Sequence, residues 1–440
     1  MHPHISFVTP TSPGYRDIRA AYIKDSPIVP LGIARPRSAE DVAAVVAFAV
    51  ATGIEISVRT GGHDLFGRSF VQGGLTIDMR EVAYTKISDN RTTVSIGGGT
   101  LAIAVAEALA HEGLGTALGS FPTVGFVGWS IHGGYGPFAP HYGLGVDQIV
   151  GARLVNAQGR VVDADEDMLV TLRGGGGALG VVVELTVKVY PLRGVLAGMI
   201  LFESDGVQST LSRFLRHLND MRGPGLPPPL GVQQSVVNTP HGMNLIVAFM
   251  WSSDDTETGK AYLKQIMDFG PVLRHDVSVK SLSQWLKISG EVPPSSCYGA
   301  ICSVRVKKQN DEVIEVLARM AESMPDDPAV LVCVHEVRGP SARPRSDSVF
   351  AAREDHFLIE CIGTSSTSEK AEENWDWALS LKRALRKIDG DNLLPGEYVS
   401  LTPPDQLNYA EVFGEHWSRF RDIKDRHDPN DVFRNAIVKF

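Results

Sequence analysis

Glycine is distributed very unevenly along this chain of 440 residues. Residues 113–180 contain 17 glycines, whereas the longer segment 261–380 contains only 5. Because glycine lacks a side chain, it allows positive φ values and a close approach of the main chain to a ligand. The distribution therefore predicts a ligand site built from backbone in the N-terminal half, followed by an ordinary packed region.

The composition is that of a folded protein and argues against two classes of partner. Hydrophobic residues make up 43% of the chain and charged residues 21%, which makes extensive disorder improbable. The formal net charge of −9 does not provide the basic face that binds nucleic acid or an anionic membrane. No apolar run reaches the ~18 residues of a membrane-spanning helix. We therefore expect neither nucleic acid nor membrane as a partner.

All four cysteines, Cys297, Cys302, Cys333 and Cys361, lie in the second half of the chain. No pair forms a Cys-x-x-Cys motif, and no Cys/His cluster has the spacing of a zinc site, so we expect free thiols and no metal. The N-terminus shows no basic segment followed by an apolar one, as a secretory signal would require. These features favour an intracellular, cytoplasmic protein and leave a mature secreted form open.

Local signals predict a mixture of helices and strands. Ser38 is placed as the N-cap of a helix over 39–52, with Asp41 three residues later and Gly53 as the stop. Residues 181–189 alternate apolar and polar side chains and predict a strand. Further predictions are strands at 54–58, 93–96, 243–251, 298–306, 330–336 and 356–362, and helices at 101–112, 309–323 and 369–388. The second half thus predicts an antiparallel sheet with helices on one face.

Two glycine motifs carry different weight. Residues 175–180 match Gly-x-Gly-x-x-Gly, but they precede a predicted strand, whereas the dinucleotide-binding motif must open a helix. We therefore reject a Rossmann site. Residues 58–64 have the sequence VRTGGHD, in which the two glycine amides can form an anion-binding nest beside His63. Taken alone, the string favours the simpler alternative, a hairpin turn with a solvated histidine.

Together with segments further along the chain, VRTGGHD resembles the flavin-attachment motif of the berberine-bridge-enzyme-like branch of the vanillyl-alcohol-oxidase flavoprotein family. The similar segments are 36–42, 122–125, 133–136, 142–147, 172–182, 407–409 and 428–433. The resemblance implies an α+β fold with two domains. The FAD-binding domain would comprise 1–195, completed by 400–440, and an antiparallel-sheet substrate domain would comprise 196–399.

The resemblance also implies the cofactor and how it is held. FAD would be bound covalently, through a bond from the His63 ring to the flavin 8α-methyl group. Many family members have a second link through a cysteine just before Pro-Thr-Val-Gly. This chain has Phe121 there, so a single link is expected. The other cofactor-binding residues implied are Arg59, Thr60, Gly61, Gly62, Asp64, Pro122, Thr123, Val124, Gly125, Gly128, His132, Gly133, Tyr135, Gly180, Val182 and Asn408.

The catalytic candidates are Glu360 and Tyr135. The segment 355–363 alternates, so Glu360 lies on the face opposite Ile359. It also falls where the family carries an active-site Glu or Gln, which suits a base that takes a substrate proton. A solvated strand glutamate is the alternative. Tyr135 matches a tyrosine near the flavin, with simple packing as the alternative, and His335 is interpreted as a packed or surface histidine.

The implied function is that of an FAD-dependent oxidase. Such an enzyme oxidises a small, largely apolar organic substrate by hydride transfer, with O₂ as the acceptor and H₂O₂ as the product. Val124 matches the small gate residue that lets dioxygen reach the flavin in this family. We expect a role in specialised metabolism. A flavin-containing cyclase or isomerase with no net redox change is the alternative, and a non-catalytic binding protein is disfavoured by the intact flavin loops.

Overall fold

The computed structural model describes residues 4–24, 26–204, 206–223, 225–240, 242–292, 294–436 and 438. The start of the N-terminal segment, where we expect no secretory signal, lies outside these residues. No helix among the described residues combines the length and the apolar character needed to cross a bilayer.

In the part of the chain that the structure describes, the N-terminal strands form two sheets. The first sheet has four strands in the order Ser6–Val8, Gly32–Arg35, Leu75–Asp78 and Ile56–Arg59. The second sheet has five antiparallel strands in the order Thr85–Ile87, Thr93–Gly97, Val181–Lys188, Ile149–Val155 and Val161–Asp163. A short pair, Leu114–Gly115 with Tyr190–Pro191, lies beside them.

The second half contains one large antiparallel sheet. Its order within the described residues is Val272–His275, Val195–Phe202, Gly242–Trp251, Leu230–Thr239, Val330–Val337, His356–Ser365 and Tyr298–Val306, and Ser278–Lys280 also pairs with Val195–Phe202. We call this the large sheet. The four strands predicted in this half are confirmed, but Val195–Phe202 and Leu230–Thr239 were not predicted. With mixed helices and sheets, the α+β class is confirmed.

The helices surround these sheets. Those of the described residues are Tyr15–Arg19, Ala39–Thr52, Ala102–His111, Phe126–Ile131, Ala139–Tyr142, Gly145–Gln148, Glu166–Gly175, Val207–Arg222, Thr256–Met267, Leu282–Ser289, Asp311–Glu322, Ala371–Leu385, Tyr409–Phe413 and Trp417–His427. The domain boundaries at 195 and 400 stay a prediction.

The helix Ala39–Thr52 begins and ends as predicted. The Ser38 hydroxyl accepts a hydrogen bond from the Asp41 amide at 3.1 Å, and Gly53 ends the helix in the left-handed conformation with φ 67°. Val42 and Val46 are fully buried against the core between the first and second sheets. The Ser38 cap thus fixes the start of this helix, and the buried face of the helix packs against the two N-terminal sheets.

The strand predicted at 181–189 is shorter than expected. It ends at Lys188, and Tyr190–Pro191 forms the separate short strand that pairs with Leu114–Gly115. The glycine run before it follows the helix Glu166–Gly175 and leads into the strand from Val181. It opens no helix, which confirms the rejection of a Rossmann site.

Three helices pack on one face of the large sheet. Val207–Arg222, Asp311–Glu322 and Ala371–Leu385 share a hydrophobic core with alternate residues of its strands. Phe357, Ile359 and Cys361 belong to this core, as the alternation predicted. Glu360 therefore lies on the opposite face, which is turned toward the N-terminal half of the protein.

We expect Ser38→Ala to lower the free energy of unfolding by about 1 kcal/mol, because the Asp41 amide loses its acceptor. Ser38→Asp, which keeps a side-chain acceptor, serves as the control and should stay within a few tenths of wild type. Urea unfolding measures both. Equal losses in the two variants would show that the cap does not stabilise this helix.

Candidate functional site

A cavity of about 420 Å³ joins the glycine-rich loops to the open face of the large sheet. One wall is formed by residues 60–65, by parts of 119–135 and by Gly177 and Gly180–Val182. The other wall comes from strands of the large sheet, and the C-terminal residues Phe433, Asn435 and Ala436 complete the lining. Both halves of the sequence therefore contribute to one site.

The loop after the strand Ile56–Arg59 is held by its first two residues. The buried Arg59 guanidinium donates to the carbonyls of Ile18 and Ala20, and Thr60 Oγ1 donates to the Gly98 carbonyl at 2.9 Å. Arg59 does not line the cavity. Its role in this structure is to anchor the loop that does.

Glycine is required at both positions that follow. A Cβ atom on Gly61 would lie 2.4 Å from the Thr123 carbonyl oxygen, and Gly62 has φ 71°. Among the described residues, no protein acceptor takes a hydrogen bond from the main-chain amides of Gly61, Gly62 or His63. These neighbouring donors at the cavity wall fit an anionic group such as a pyrophosphate.

His63 is clamped between aromatic rings. Its imidazole stacks on Tyr22 with ring centroids 4.6 Å apart, and Phe121 meets it edge-on at 5.7 Å. His63 Nε2 forms a hydrogen bond with Thr123 Oγ1 at 2.8 Å. Burial and the nearby Arg59 lower the pKa of His63 to about 4, so the ring is neutral at neutral pH. With Nε2 in the hydrogen bond to Thr123, Nδ1 of the neutral imidazole can act as a nucleophile.

The segment 124–132, which includes the helix Phe126–Ile131, belongs to the same wall. A Cβ atom on Gly125 would lie 2.6 Å from Thr60 Cγ2, so the two loops touch at glycine. His132 Nδ1 donates to the Gly128 carbonyl at 2.7 Å, which leaves Nε2 as a buried acceptor with no partner among the described residues. Burial lowers the pKa of His132 to about 4. An unpaired acceptor in a cavity wall fits a ligand that donates a hydrogen bond.

Three polar side chains meet on the open face of the large sheet. Cys333 is the cross-strand partner of Glu360, and His335 lies two residues after Cys333 on the same face. His335 Nε2 lies 3.2 Å from Glu360 Oε1 and 3.8 Å from Cys333 Sγ. Burial opposes the charged form of His335, but the adjacent Glu360 and Cys333 hold its pKa well above the usual range. We call these residues the Cys–His–Glu cluster.

Apolar side chains surround the Cys–His–Glu cluster. Those that line the cavity from the large sheet and its neighbours are Met199, Ile246, Ala248, Ile301, Leu331, Ile362 and Leu401. No lysine or arginine of the described residues lines this wall. The wall therefore suits a largely apolar molecule with a polar group directed at Glu360.

Tyr135 lines the same cavity and pairs with the buried His356. Its hydroxyl lies 3.0 Å from His356 Nε2, while His356 Nδ1 lies 2.7 Å from the Glu354 carbonyl. Because a carbonyl only accepts, Nδ1 carries the proton and Tyr135 donates to Nε2. Burial and Arg305 lower the pKa of His356 to about 3. Tyr135 is therefore held as a hydrogen-bonded phenol at the cavity wall.

Comparison with known proteins places the chain in a family. Residues 30–165 match the model of an FAD binding domain. An FAD-linked oxidoreductase, aurO of Gibberella zeae, is 30% identical over 98% of this chain and 85% of its own length. (R)-6-hydroxynicotine oxidase of Paenarthrobacter nicotinovorans is 33% identical over 92% and 89% of the two chains. The crystal structure of 6-hydroxy-D-nicotine oxidase from Arthrobacter nicotinovorans superposes with a TM-score of 0.87 and 25% identity, over 99% and 98%.

The chain belongs to the berberine-bridge-enzyme-like FAD-linked oxidoreductases of the vanillyl-alcohol-oxidase family.

Glucooligosaccharide oxidase from Acremonium strictum shares this fold, with a TM-score of 0.83 and 20% identity over 97% and 95% of the chains. The predicted two-domain fold of the vanillyl-alcohol-oxidase type is thereby confirmed. The protein is an enzyme, its cofactor is FAD, and it acts on a small molecule. The free amides at Gly61–His63 and the unpaired His132 Nε2 show that the residues present fit this cofactor.

Most of the predicted cofactor residues of this FAD-linked oxidoreductase line the cavity. They are Thr60, Gly61, Gly62, His63, Asp64, Val124, Gly125, Gly128, His132, Tyr135, Gly180 and Val182. Arg59, Pro122, Thr123 and Gly133 lie behind the wall. Gly133 is packed on Phe350, where a Cβ atom would lie 2.8 Å from the ring. Their direct contact with FAD stays a prediction.

Asn408 does not line the cavity either, and its contact with FAD stays a prediction. It is exposed, and its side chain accepts a hydrogen bond from the Glu411 amide as the N-cap of Tyr409–Phe413. The C-terminal segment contributes Phe433, Asn435 and Ala436 instead. The prediction for Asn408 relied on a three-residue match, which carries no information on which side of the chain faces the cofactor.

We expect Gly61→Ala to reduce the amount of FAD bound at purification by at least about tenfold. The added Cβ would crowd the Thr123 carbonyl and the Gly125 amide, both main-chain atoms that cannot rotate away. The ratio of flavin to protein absorbance measures this. Gly390→Ala, an exposed site with no atom within 4 Å of the new Cβ, should retain wild-type flavin. Full flavin content in Gly61→Ala would contradict the crowding argument.

Proposed function

We propose that this enzyme is an oxidase that removes a hydride equivalent from an alcohol, amine or phenolic substrate and passes the electrons to O₂. The observation that carries the proposal is the position of Glu360. It lines the same cavity as the loops 60–64 and 124–128, but from the opposite wall. A substrate between the two walls would meet the cofactor on one side and a carboxylate on the other.

We propose a single covalent link between His63 and FAD. Thr123 Oγ1 can accept a hydrogen bond from His63 Nε2–H, and in this tautomer the lone pair of Nδ1 is free to act as the nucleophile toward the 8α-methyl group. The name of the glucooligosaccharide oxidase structure describes an 8α-N1-histidyl link together with a 6-S-cysteinyl link. In this chain Phe121 packs against His63, and its ring cannot form the second bond.

Bound FAD supplies the redox chemistry, as acceptor of the hydride and donor of two electrons to O₂ with formation of H₂O₂. Glu360 accepts the proton that leaves the substrate heteroatom, and His335 at 3.2 Å orients its carboxylate. Val124 lines the cavity beside the Gly61 loop, where its small side chain leaves room for O₂. Tyr135 positions the substrate from the neighbouring wall.

The substrate class follows from the apolar wall. A molecule with a hydrocarbon or aromatic body and one ionisable N–H or O–H group matches this wall. The name of the nicotine oxidase relative describes a substrate of this kind. We place the reaction in specialised metabolism. We also propose a cytoplasmic location, which four unpaired cysteines support.

We expect His63→Ala to release its flavin on acid precipitation, whereas wild type keeps the yellow colour in the protein pellet. Removal of the ring removes the proposed covalent tether and leaves only non-covalent contacts. His275→Ala, which changes an exposed histidine on the large sheet, should behave as wild type. Colour that stays in the His63→Ala pellet would mean that another residue holds the flavin.

We expect Glu360→Gln to slow anaerobic flavin reduction by about 10²–10⁴-fold, the usual contribution of a positioned base. Glutamine keeps the shape but cannot accept the proton. Stopped-flow absorbance measures reduction, and reoxidation by O₂ should change little. Glu354→Gln, an exposed carboxylate before the same strand, is the control. A fall within about threefold of wild type would reject Glu360 as the base.

The oxidase assignment itself is tested by the stoichiometry of oxygen. A panel of apolar alcohols, amines and phenols is screened with an oxygen electrode and a peroxide assay. We expect one O₂ consumed and one H₂O₂ released for each product formed. Product without oxygen uptake would reject an oxidase.

A further inference from the structure

The Cys–His–Glu cluster offers three different ligand atoms to one point in the cavity. The Cys333 Sγ, a His335 ring nitrogen and a Glu360 carboxylate oxygen all lie within 4.8 Å of one another. Two adjacent strands hold them, since Cys333 and Glu360 are direct cross-strand partners and His335 follows on the same face. The arrangement is therefore built into the pairing of the large sheet.

We propose that this cluster binds one divalent cation of the zinc class, and that the bound cation inhibits the enzyme by occupying Glu360. Its inhibitory part rests on the function proposed for Glu360 above.

The distances match a tetrahedral site. With zinc–sulfur and zinc–nitrogen or –oxygen bonds of about 2.3 and 2.0–2.1 Å, adjacent ligand atoms lie roughly 3.3–3.6 Å apart. The observed separations are 3.8 Å between Cys333 Sγ and His335 Nε2, and 3.2 Å between His335 Nε2 and Glu360 Oε1. Shifts of a few tenths of an ångström bring these two pairs into that range, and the third pair, Cys333 Sγ with the Glu360 carboxylate, lies within 4.8 Å.

The donor types select the cation. A thiolate, a neutral imidazole and a carboxylate together carry two negative charges, which a divalent ion neutralises. The set resembles the three-ligand sites of zinc rather than the all-oxygen sites of calcium or magnesium. The fourth position faces the cavity, because all three residues line it. An exchangeable molecule can therefore complete the coordination.

The surroundings also supply the second layer of contacts that metal sites require. His335 Nδ1 lies 2.6 Å from the Gln233 amide, and Ser120 Oγ lies 3.2 Å from the other end of that amide. With Nε2 on the cation, Nδ1–H donates to the Gln233 oxygen after rotation of the amide, and the Gln233 nitrogen donates to Ser120. His335 and Ser120 can each form a hydrogen bond with the Gln233 amide in either orientation of that amide. Such contacts fix the orientation of a histidine ligand.

Occupation has a direct consequence for catalysis. A bound cation makes Glu360 a weaker base, because it stabilises the ionised carboxylate, and it fills part of the space beside the carboxylate. Flavin reduction should therefore slow in proportion to occupancy. Removal of the cation by a chelator should restore it, since no covalent bond of the protein changes.

The test uses chelator-treated holoenzyme and zinc chloride as the probe. Isothermal titration calorimetry, with metal analysis after dialysis, should show one Zn²⁺ per chain. Cys333→Ser and His335→Gln should each weaken binding by at least about tenfold, since loss of a ligand exceeds the loss of an outer contact. Cys302→Ala removes a buried thiol from the opposite face of the sheet and should bind as wild type. Equal flavin content in all variants verifies folding.

The results separate this proposal from the function of Glu360. Absence of stoichiometric zinc binding, or equal affinity in Cys333→Ser, His335→Gln and wild type, would overturn the site. Stoichiometric binding that leaves anaerobic flavin reduction unchanged would overturn inhibition. The role of Glu360 as base is judged independently, by Glu360→Gln in zinc-free buffer.

Discussion

Helix packing on one face of the large sheet places the Cys–His–Glu cluster on the other face. Three helices bury Phe357, Ile359 and Cys361, so the residues between them must face the other way. Because side chains alternate along a strand, a shift of one residue would move Glu360 into the helical core and Ile359 into the cavity. Hydrophobic burial on one face thus sets the position of the polar group on the other.

The opposite wall depends on main chain rather than side chains. Gly61 and Gly125 allow two segments of main chain to touch. The positive φ of Gly62 turns the main chain so that the amides of residues 61–63 lie at the cavity wall. Arg59 lies behind this loop and holds it to the segment around Ile18. We therefore propose that FAD binds where a rigid backbone offers free donors, and that the substrate contacts the side chains of the large sheet. This division explains how one fold serves relatives with different substrates.

Local features of the sequence were predictable where a local interaction determines the structure. Ser38 and Gly53 mark the two ends of their helix through contacts within four residues. The alternation around Glu360 follows from the geometry of a single strand. The loop 60–64 is identified through resemblance. In the structure Gly61 is required by crowding at Thr123, and Gly62 by its positive φ.

Contacts between distant segments could not be predicted. Cys333 and Glu360 meet because of the register between two strands, and no spacing along the chain reveals that register. Tyr135 and His356 are 221 residues apart in sequence. Asn408 caps a surface helix and does not line the cavity, so the contact with FAD that a short motif suggested for it stays a prediction. His335, interpreted as a packed or surface histidine, proves to lie in the cavity between Cys333 and Glu360.

The central claim is that substrate oxidation takes place in the cavity between the flavin loops and the large sheet. Anaerobic mixing of the holoenzyme with its substrate tests this most directly, with the visible absorption band of the flavin as the readout. The account predicts that the band bleaches as one equivalent of oxidised product forms, and that admission of air restores it. Product formed while the band stays unchanged would contradict the account and would identify the enzyme as an isomerase or cyclase that retains its flavin.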